Sequence, residues 1–269
     1  MMVNERQGSE ANLPDEEELS DKMTFLEHLE ELRTRIIYSL IAVAVGFVVC
    51  FFFNAQIFRF IAAPIKQVLP EGRKDLFYTT PTEGFGISMK VSLLVGIFLM
   101  SPFILWQLWL FISPGLYRKE KSYALPFLFA STFLFILGGL FAYYIALPRT
   151  LYFLINFNPE LHPLITATEF FDFTMIVILG LGAVFQLPVL IGFLSMFGIT
   201  TPGFLWHNFK YAILIIFIVA AVVSPTGDAV NLFVFAVPML ALYVVSIGIS
   251  FLFYRARKKK ARDAALSTS

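Results

Sequence analysis

The chain has 269 residues, of which 58% are hydrophobic and only 14% are charged. A soluble domain carries about 25% charged residues, so this composition is typical of a membrane protein. The 20 Lys and Arg residues balance 19 Asp and Glu residues, which leaves no basic excess for nucleic-acid binding. One Cys and three His exclude a disulfide framework and leave little for a zinc site, and we expect no cofactor.

Long apolar runs predict an all-α membrane protein with six transmembrane helices. A helix needs about 20 apolar residues to cross a hydrocarbon core about 30 Å thick. The predicted spans are residues 36–58, 91–112, 123–147, 173–197, 211–223 and 232–253. The fifth span is only about 20 Å long, so it must either thin the membrane locally or sit behind longer neighbours.

The regions outside the spans differ in charge. An acidic leader, residues 1–23, is predicted to be disordered, and it precedes a membrane domain of residues 24–254 and a basic tail of residues 255–269. Thr24 has the pattern of a capping box that starts an amphipathic helix leading into the first span. With this topology 14 Lys and Arg lie on the side of the termini and six on the other, so both termini are predicted to be cytoplasmic.

Short strings near the ends of the spans carry a family resemblance. His-Leu-Glu-Glu-Leu-Arg-Thr-Arg occupies residues 28–35, and Pro-Thr-Glu-Gly-Phe occupies residues 81–85. The most specific string, Gln-Leu-Trp-Leu-Phe-Ile-Ser-Pro-Gly-Leu-Tyr-Arg-Lys-Glu-Lys, occupies residues 107–121, and Phe-Gln-Leu-Pro follows at 185–188. These strings resemble the TatC family, the multispanning subunit of the twin-arginine protein translocase, over about residues 24–255.

The resemblance implies a receptor and scaffold with no catalysis of its own. Such a protein lies in the inner membrane and binds, at its cytoplasmic face, signal peptides that carry two adjacent arginines. Export of the folded cargo then depends on the protonmotive force. The resemblance also implies partner subunits with one span each, of the TatA and TatB types, and self-association in the lipid bilayer.

Two carboxylates are the candidates for binding the arginine pair. An Arg guanidinium is a planar fork that fits a carboxylate bidentately, so two consecutive arginines are best met by two carboxylates on different elements. The resemblance points to Glu31, before the first span, and to Glu120, after the second. Each has a plain alternative: Glu31 could pair with Arg35 four residues on, for about 0.3 kcal/mol, and Glu120 could be solvated in a loop of mixed charge.

Four further residues complete the peptide-binding set that the resemblance implies. Arg33 is assigned to function and Arg35 to anchoring at the lipid headgroups. Gln107, Phe111 and Tyr117 lie beside Glu120 at the end of the second span, where the two rings would flank the apolar part of the signal peptide. Apolar burial supplies about 25 cal/mol per Å² and an exposed ion pair about 0 to 1 kcal/mol, so the arginines mainly confer specificity.

Three more residues have candidate roles away from this set. Gln186, where many family members have Glu, either bonds a neighbouring helix within the chain or forms part of a polar patch for a partner's single span. Asp228 is a candidate for the same patch, although it could instead cap the last helix. Pro64 matches a position of the family's outer cap, but it could be an ordinary loop proline.

Packing and interfacial roles are also predicted. Trp106 and Trp109 are expected in an aromatic belt at the membrane interface. Four glycines are expected to let helices approach one another within the chain: Gly138, Gly139, Gly180 and Gly182.

Two other classes of protein fit the sequence less well. Residues 30–35 match the Glu-Glu-x-x-x-Arg string of a prenyl-protein protease family, but the histidines lack the spacing needed to assemble its metal site. A small-solute transporter usually places several charges at the membrane midplane, whereas no Asp, Glu, Lys or Arg lies deep in a predicted span.

Overall fold

The computed structural model describes residues 16–69, 76–112, 124–158, 160, 164–224 and 228–267. Within these ranges the regular structure is helical, and the residue pair Phe77 and Thr166 forms an isolated β-bridge. Five helices are long and apolar enough to cross a membrane, and a sixth apolar helix, Phe209–Val223, is shorter. The predicted all-α fold with six spans, the fifth of them short, is therefore confirmed.

Eleven α-helices are present in the described ranges. In chain order they are α1 (Glu16–Phe52), α2 (Asn54–Ile61), α3 (Ala63–Val68), α4 (Glu83–Ile112), α5 (Ala124–Phe141), α6 (Leu147–Asn156), α7 (Ala167–Val184), α8 (Leu187–Met196), α9 (Pro202–His207), α10 (Phe209–Val223) and α11 (Ala229–Ser267). Most of the predicted leader, residues 1–15, lies outside the described residues. The helix α1 begins at Glu16, ahead of the capping box at Thr24.

Two spans are interrupted where prolines follow. A π-helical turn, Ala142–Ala146, joins α5 to α6, and α6 carries Pro148 in its first turn. The fourth span divides into α7 and α8 at Phe185 and Gln186, and Pro188 opens α8. Proline has no N–H to donate and its ring clashes with the preceding turn, so it fits best in the first turn of a helix, as at Pro148 and Pro188, although Pro102 and Pro238 lie inside α4 and α11.

The helices α1 and α4 pack with their backbones in contact. A Cβ atom added at Gly46 would lie 2.7 Å from the carbonyl oxygen of Gly96, and one added at Gly96 would lie 2.7 Å from the nitrogen of Phe47. Only glycine allows this approach, because any other side chain would separate the helices. The prediction of internal packing also holds for Gly138, where an added Cβ would lie 2.8 Å from the carbonyl oxygen of Leu181.

The molecule has two ends, which we name from their contacts. The terminal end brings together the N-terminal part of α1, the C-terminal ends of α4 and α8, the start of α5 and Phe253 of α11. The opposite end contains α2, α3 and the starts of α4 and α7. There Lys90 of α4 pairs with Asp172 of α7 at 2.5 Å, and Glu83 accepts hydrogen bonds from Thr79, Thr80 and Thr168.

Candidate functional site

A polar cluster at the terminal end links α1 to α4. The Arg35 guanidinium donates through Nη2 to Glu31 Oε1 at 3.1 Å and through Nη1 to Gln107 Oε1 at 3.4 Å. Glu31 and Arg35 share one face of α1 because they are four residues apart. Their side chains are 26% and 27% exposed, whereas Gln107 is buried. The cluster therefore offers one partly accessible carboxylate at the edge of a helix pair.

The contacts of Arg35 go beyond the role in headgroup anchoring that was predicted from the sequence. Arg35 bridges two helices through both terminal nitrogens, in addition to any contact with lipid headgroups. Arg33 is exposed and forms no ion pair within the described chain. The spacing of four residues allowed the contact with Glu31, but the contact with Gln107 joins residues 72 positions apart, and no local pattern indicates it.

An aromatic contact lies on the same pair of helices. The ring of His28 stacks on the ring of Phe111 with centroids 4.5 Å apart and an angle of 14° between the planes. Phe111 is half-buried and four residues beyond Gln107, so it lies on the same face of α4. Phe111 was predicted from the sequence, whereas His28 was not, although its ring stacks on that of Phe111 beside the polar cluster.

Two predicted members of the set cannot be placed. Tyr117 and Glu120 lie outside the described residues. The helix α4 ends at Ile112, at the terminal end, five residues before the tyrosine. The described part of the site therefore comprises Glu31, Arg35 and Gln107, with His28 and Phe111 beside them.

Trp109 packs inside the protein, so the prediction of an interfacial belt is wrong for this residue. Its ring centroid lies 5.2 Å from that of Phe127 and 5.2 Å from that of Phe193, and the residue is only 6% exposed. Tilted and edge-to-face rings are the geometry that aromatic pairs favour. This cluster holds the end of α4, the start of α5 and the helix α8 together at the terminal end.

The other candidate residues have contacts within the chain. Gln186 accepts a hydrogen bond from Ser131 Oγ at 2.7 Å and donates through Nε2 to the Ser131 carbonyl oxygen at 3.0 Å. Asp228 accepts from the backbone N–H of Asn231 at 2.8 Å, as a capping residue does. Pro64 is buried in the first turn of α3, at the opposite end. The intrachain alternatives therefore have geometric support, and partner contacts through Gln186 and Asp228 remain predictions.

Fold and site together define a multispanning α-helical membrane protein with interhelical polar contacts at both ends. The family model described as Sec-independent protein translocase protein (TatC) matches residues 27–238. The TatC protein of Koribacter versatilis is 46% identical over 244 residues, or 90% of each chain. That of Aquifex aeolicus is 38% identical over 240 residues, which cover 88% of this chain and 98% of the relative.

Solved structures agree with these relatives. A crystal structure of the twin arginine translocase receptor TatC matches with a TM-score of 0.74 and 37% identity, covering 84% of this chain and 99% of that one. A second, obtained in DDM, matches with a TM-score of 0.75 and the same identity. The chain belongs to the TatC family.

Membership in this family confirms the resemblance found in the sequence. The protein is a membrane-embedded component of a protein translocase, and its family is not one of enzymes. The result favours protein transport over the transporter and protease alternatives. A translocase of this kind is a complex, so the chain acts together with other Tat components.

Proposed function

We propose that the protein is the receptor that binds twin-arginine signal peptides of folded proteins at the cytoplasmic face of the inner membrane. Both termini lie in the cytoplasm in this proposal, in accord with the 14 basic residues on their side. Single-span TatA- and TatB-type subunits and further copies of the chain complete the complex, and the protonmotive force drives export. The solved relatives, which are called twin arginine translocase receptors, support this role.

The observation that carries the proposal is the contact between Glu31 and a guanidinium. One oxygen of Glu31 accepts from Arg35 at 3.1 Å, and Oε2 has no hydrogen bond within the described chain. The carboxylate is thus partly accessible and already paired with the kind of group that a twin-arginine signal presents. A second guanidinium can therefore bind at Oε2 or replace that of Arg35.

Gln107 gives this exchange a physical basis. When a peptide arginine takes Glu31, Arg35 keeps an acceptor in the amide oxygen of Gln107 and is not left without a partner. Leaving a partly buried charged group without a partner would cost more free energy than an exposed ion pair contributes. In this proposal Glu120 binds the second arginine and Phe111 and Tyr117 contact the apolar segment. Arg33, exposed on α1, keeps the role in peptide binding that the family resemblance implies.

A binding measurement on purified protein in lipid nanodiscs tests the site. A fluorescent signal peptide with Arg-Arg is compared with the same peptide carrying Lys-Lys, on the unaltered protein and on Glu31→Gln and Glu120→Gln. We expect each substitution to weaken Arg-Arg binding about threefold, or about 0.7 kcal/mol, and to reduce the preference over Lys-Lys. The reason is that a neutral amide accepts a weaker hydrogen bond from a guanidinium than a carboxylate does.

Glu30→Gln is the matched control. It removes the same charge one residue away, at an exposed side chain that forms no ion pair within the described chain. We expect it to leave both peptides' affinities unchanged. Equal binding by all variants, or an equal loss in the control, would reject the site.

A further inference from the structure

A groove lined by apolar side chains lies between α5, α8 and α11 near the terminal end. Its volume is about 260 Å³, and its walls include Phe127, Ala130, Leu134, Val189, Ile249 and Phe253. None of these residues belongs to the polar cluster at Glu31. The groove is therefore a separate feature, and it lies within the membrane-spanning part of the chain.

The wall contributed by α11 leads directly to basic residues. The helix α11 is unbroken from Ala229 to Ser267, so helical spacing holds beyond the membrane. Positions 249, 253, 257 and 260 follow one another at intervals of four, four and three, and therefore form one stripe of the helix. The first two line the groove, and the next two are Arg257 and Lys260.

The positions along this stripe match the layers of a bilayer. The backbone positions of Arg257 and Lys260 lie about 6 Å and about 10 Å beyond that of Phe253, at 1.5 Å per residue. The headgroup layer on each side of the hydrocarbon core is about 5 to 8 Å thick. If Phe253 marks the hydrocarbon boundary, the basic positions fall at and just beyond the depth of lipid phosphates.

The apolar walls of the groove and the basic segment that follows on α11 together favour a lipid as its occupant. A single acyl chain is slender, apolar and present at high concentration in the membrane. Six basic residues follow within eight positions of the helix: Arg255, Arg257, Lys258, Lys259, Lys260 and Arg262.

We propose that this groove binds an anionic phospholipid, with one acyl chain between α5, α8 and α11 and its headgroup at the basic positions 257 and 260. The apolar walls select for a hydrocarbon chain, and the adjoining stripe selects for negative charge. Arg255 lies off this stripe, and its guanidinium sits 4.2 Å from the ring centroid of Phe251. The proposal does not depend on the peptide-binding site at Glu31.

Native mass spectrometry of the full-length protein in detergent tests the proposal. The probes are a phosphatidylglycerol and a phosphatidylethanolamine with identical acyl chains, added at matched concentrations. We expect the anionic lipid to be retained more strongly, and the double variant Arg257→Gln/Lys260→Gln to reduce that preference by about fivefold for each basic residue removed. Ala130→Phe fills the groove, and we expect it to abolish the preference.

Arg255→Gln/Lys258→Gln is the matched control. It removes two positive charges from the opposite side of the same helix, where Lys258 is exposed. We expect the control to keep the preference for the anionic lipid. Equal retention of the two lipids by the unaltered protein, an equal effect of both double variants, or a preference that survives Ala130→Phe would overturn the proposal. The two double variants lie outside the groove, so their comparison decides the question even if the groove-filling variant does not fold.

Discussion

Arg35 is held between a carboxylate on its own helix and an amide on another. Its contact with Glu31 is an (i, i+4) pair with about a quarter of each side chain exposed, for which about 0.3 to 0.5 kcal/mol is typical. A pair this weak is readily exchanged for one with an incoming guanidinium. Arg35 thus competes with the peptide, and Gln107 determines how strongly, because it is the alternative acceptor.

This competition predicts an unusual pattern of effects for three variants. Arg35→Gln removes the competitor, and we expect it to raise the affinity for a twin-arginine peptide about twofold at low salt. Gln107→Leu leaves Arg35 with Glu31 alone, and we expect it to lower the affinity about twofold. In the double variant the loss disappears, because Gln107 acts only through Arg35. Fluorescence anisotropy titrations of the four proteins measure this coupling.

The same four proteins also test whether Gln107 contacts the signal peptide directly, as was predicted from the sequence. A residue that contacts the peptide directly would lower the affinity by the same factor whether or not Arg35 is present. That outcome would restore the interpretation drawn from the sequence. The sequence alone could not decide between the two, because the relevant contact depends on how α1 and α4 are placed and not on local spacing.

At the scale of elements, the polar cluster depends on the crossing of α1 and α4. Gly46 and Gly96 hold the two backbones in contact, and Gln107 lies three turns beyond Gly96 on α4. A small displacement at the crossing therefore moves Gln107 relative to Arg35. The glycines act on the site although they are remote from it.

Substitution of two glycines on α4 tests this dependence. Gly96→Ala forces a Cβ against the backbone of α1, and overpacking of this kind costs about 1 to 3 kcal/mol. Gly86→Ala places the same methyl group in open space, where a helical alanine stabilises by about 0.4 to 1 kcal/mol. We expect the thermal unfolding midpoint in nanodiscs to fall for the first variant and to stay or rise for the second. Equal shifts would contradict close packing at Gly96.

The spans could be predicted because hydrocarbon thickness alone requires a minimum length of apolar helix. Their interruptions could not. The apolar run of residues 173–197 does not predict that α7 ends at Val184. Pro188 indicates a break nearby, but it does not give the position of the break. Trp109 has the composition of an interfacial residue and is buried only because Phe127 and Phe193 come from distant parts of the chain. Such contacts depend on tertiary packing, which hydropathy does not describe.

At the scale of the whole molecule, the short helix α10 lies at the surface of the chain. Of its 15 residues, Ile216, Ala220 and Val223 are buried, whereas Leu214, Ile218 and Val222 are exposed, the last by 76%. Longer helices of the same chain therefore leave one face of α10 uncovered. At about 22 Å it falls short of a hydrocarbon core about 30 Å thick, so the alternative of local thinning remains.

Local thinning predicts that stability depends on bilayer thickness. We expect the unfolding midpoint in reconstituted vesicles to be highest with short acyl chains of about 14 carbons and to fall as they lengthen to about 22, because each added ångström of mismatch has a cost. Insertion of Leu-Ala-Leu-Ala after Val219 lengthens α10 by about 6 Å and should move the optimum to thicker bilayers. The same insertion after Arg262, beyond the sixth span, should leave the optimum unchanged. If neither insertion moves it, α10 does not set the thickness that the protein prefers.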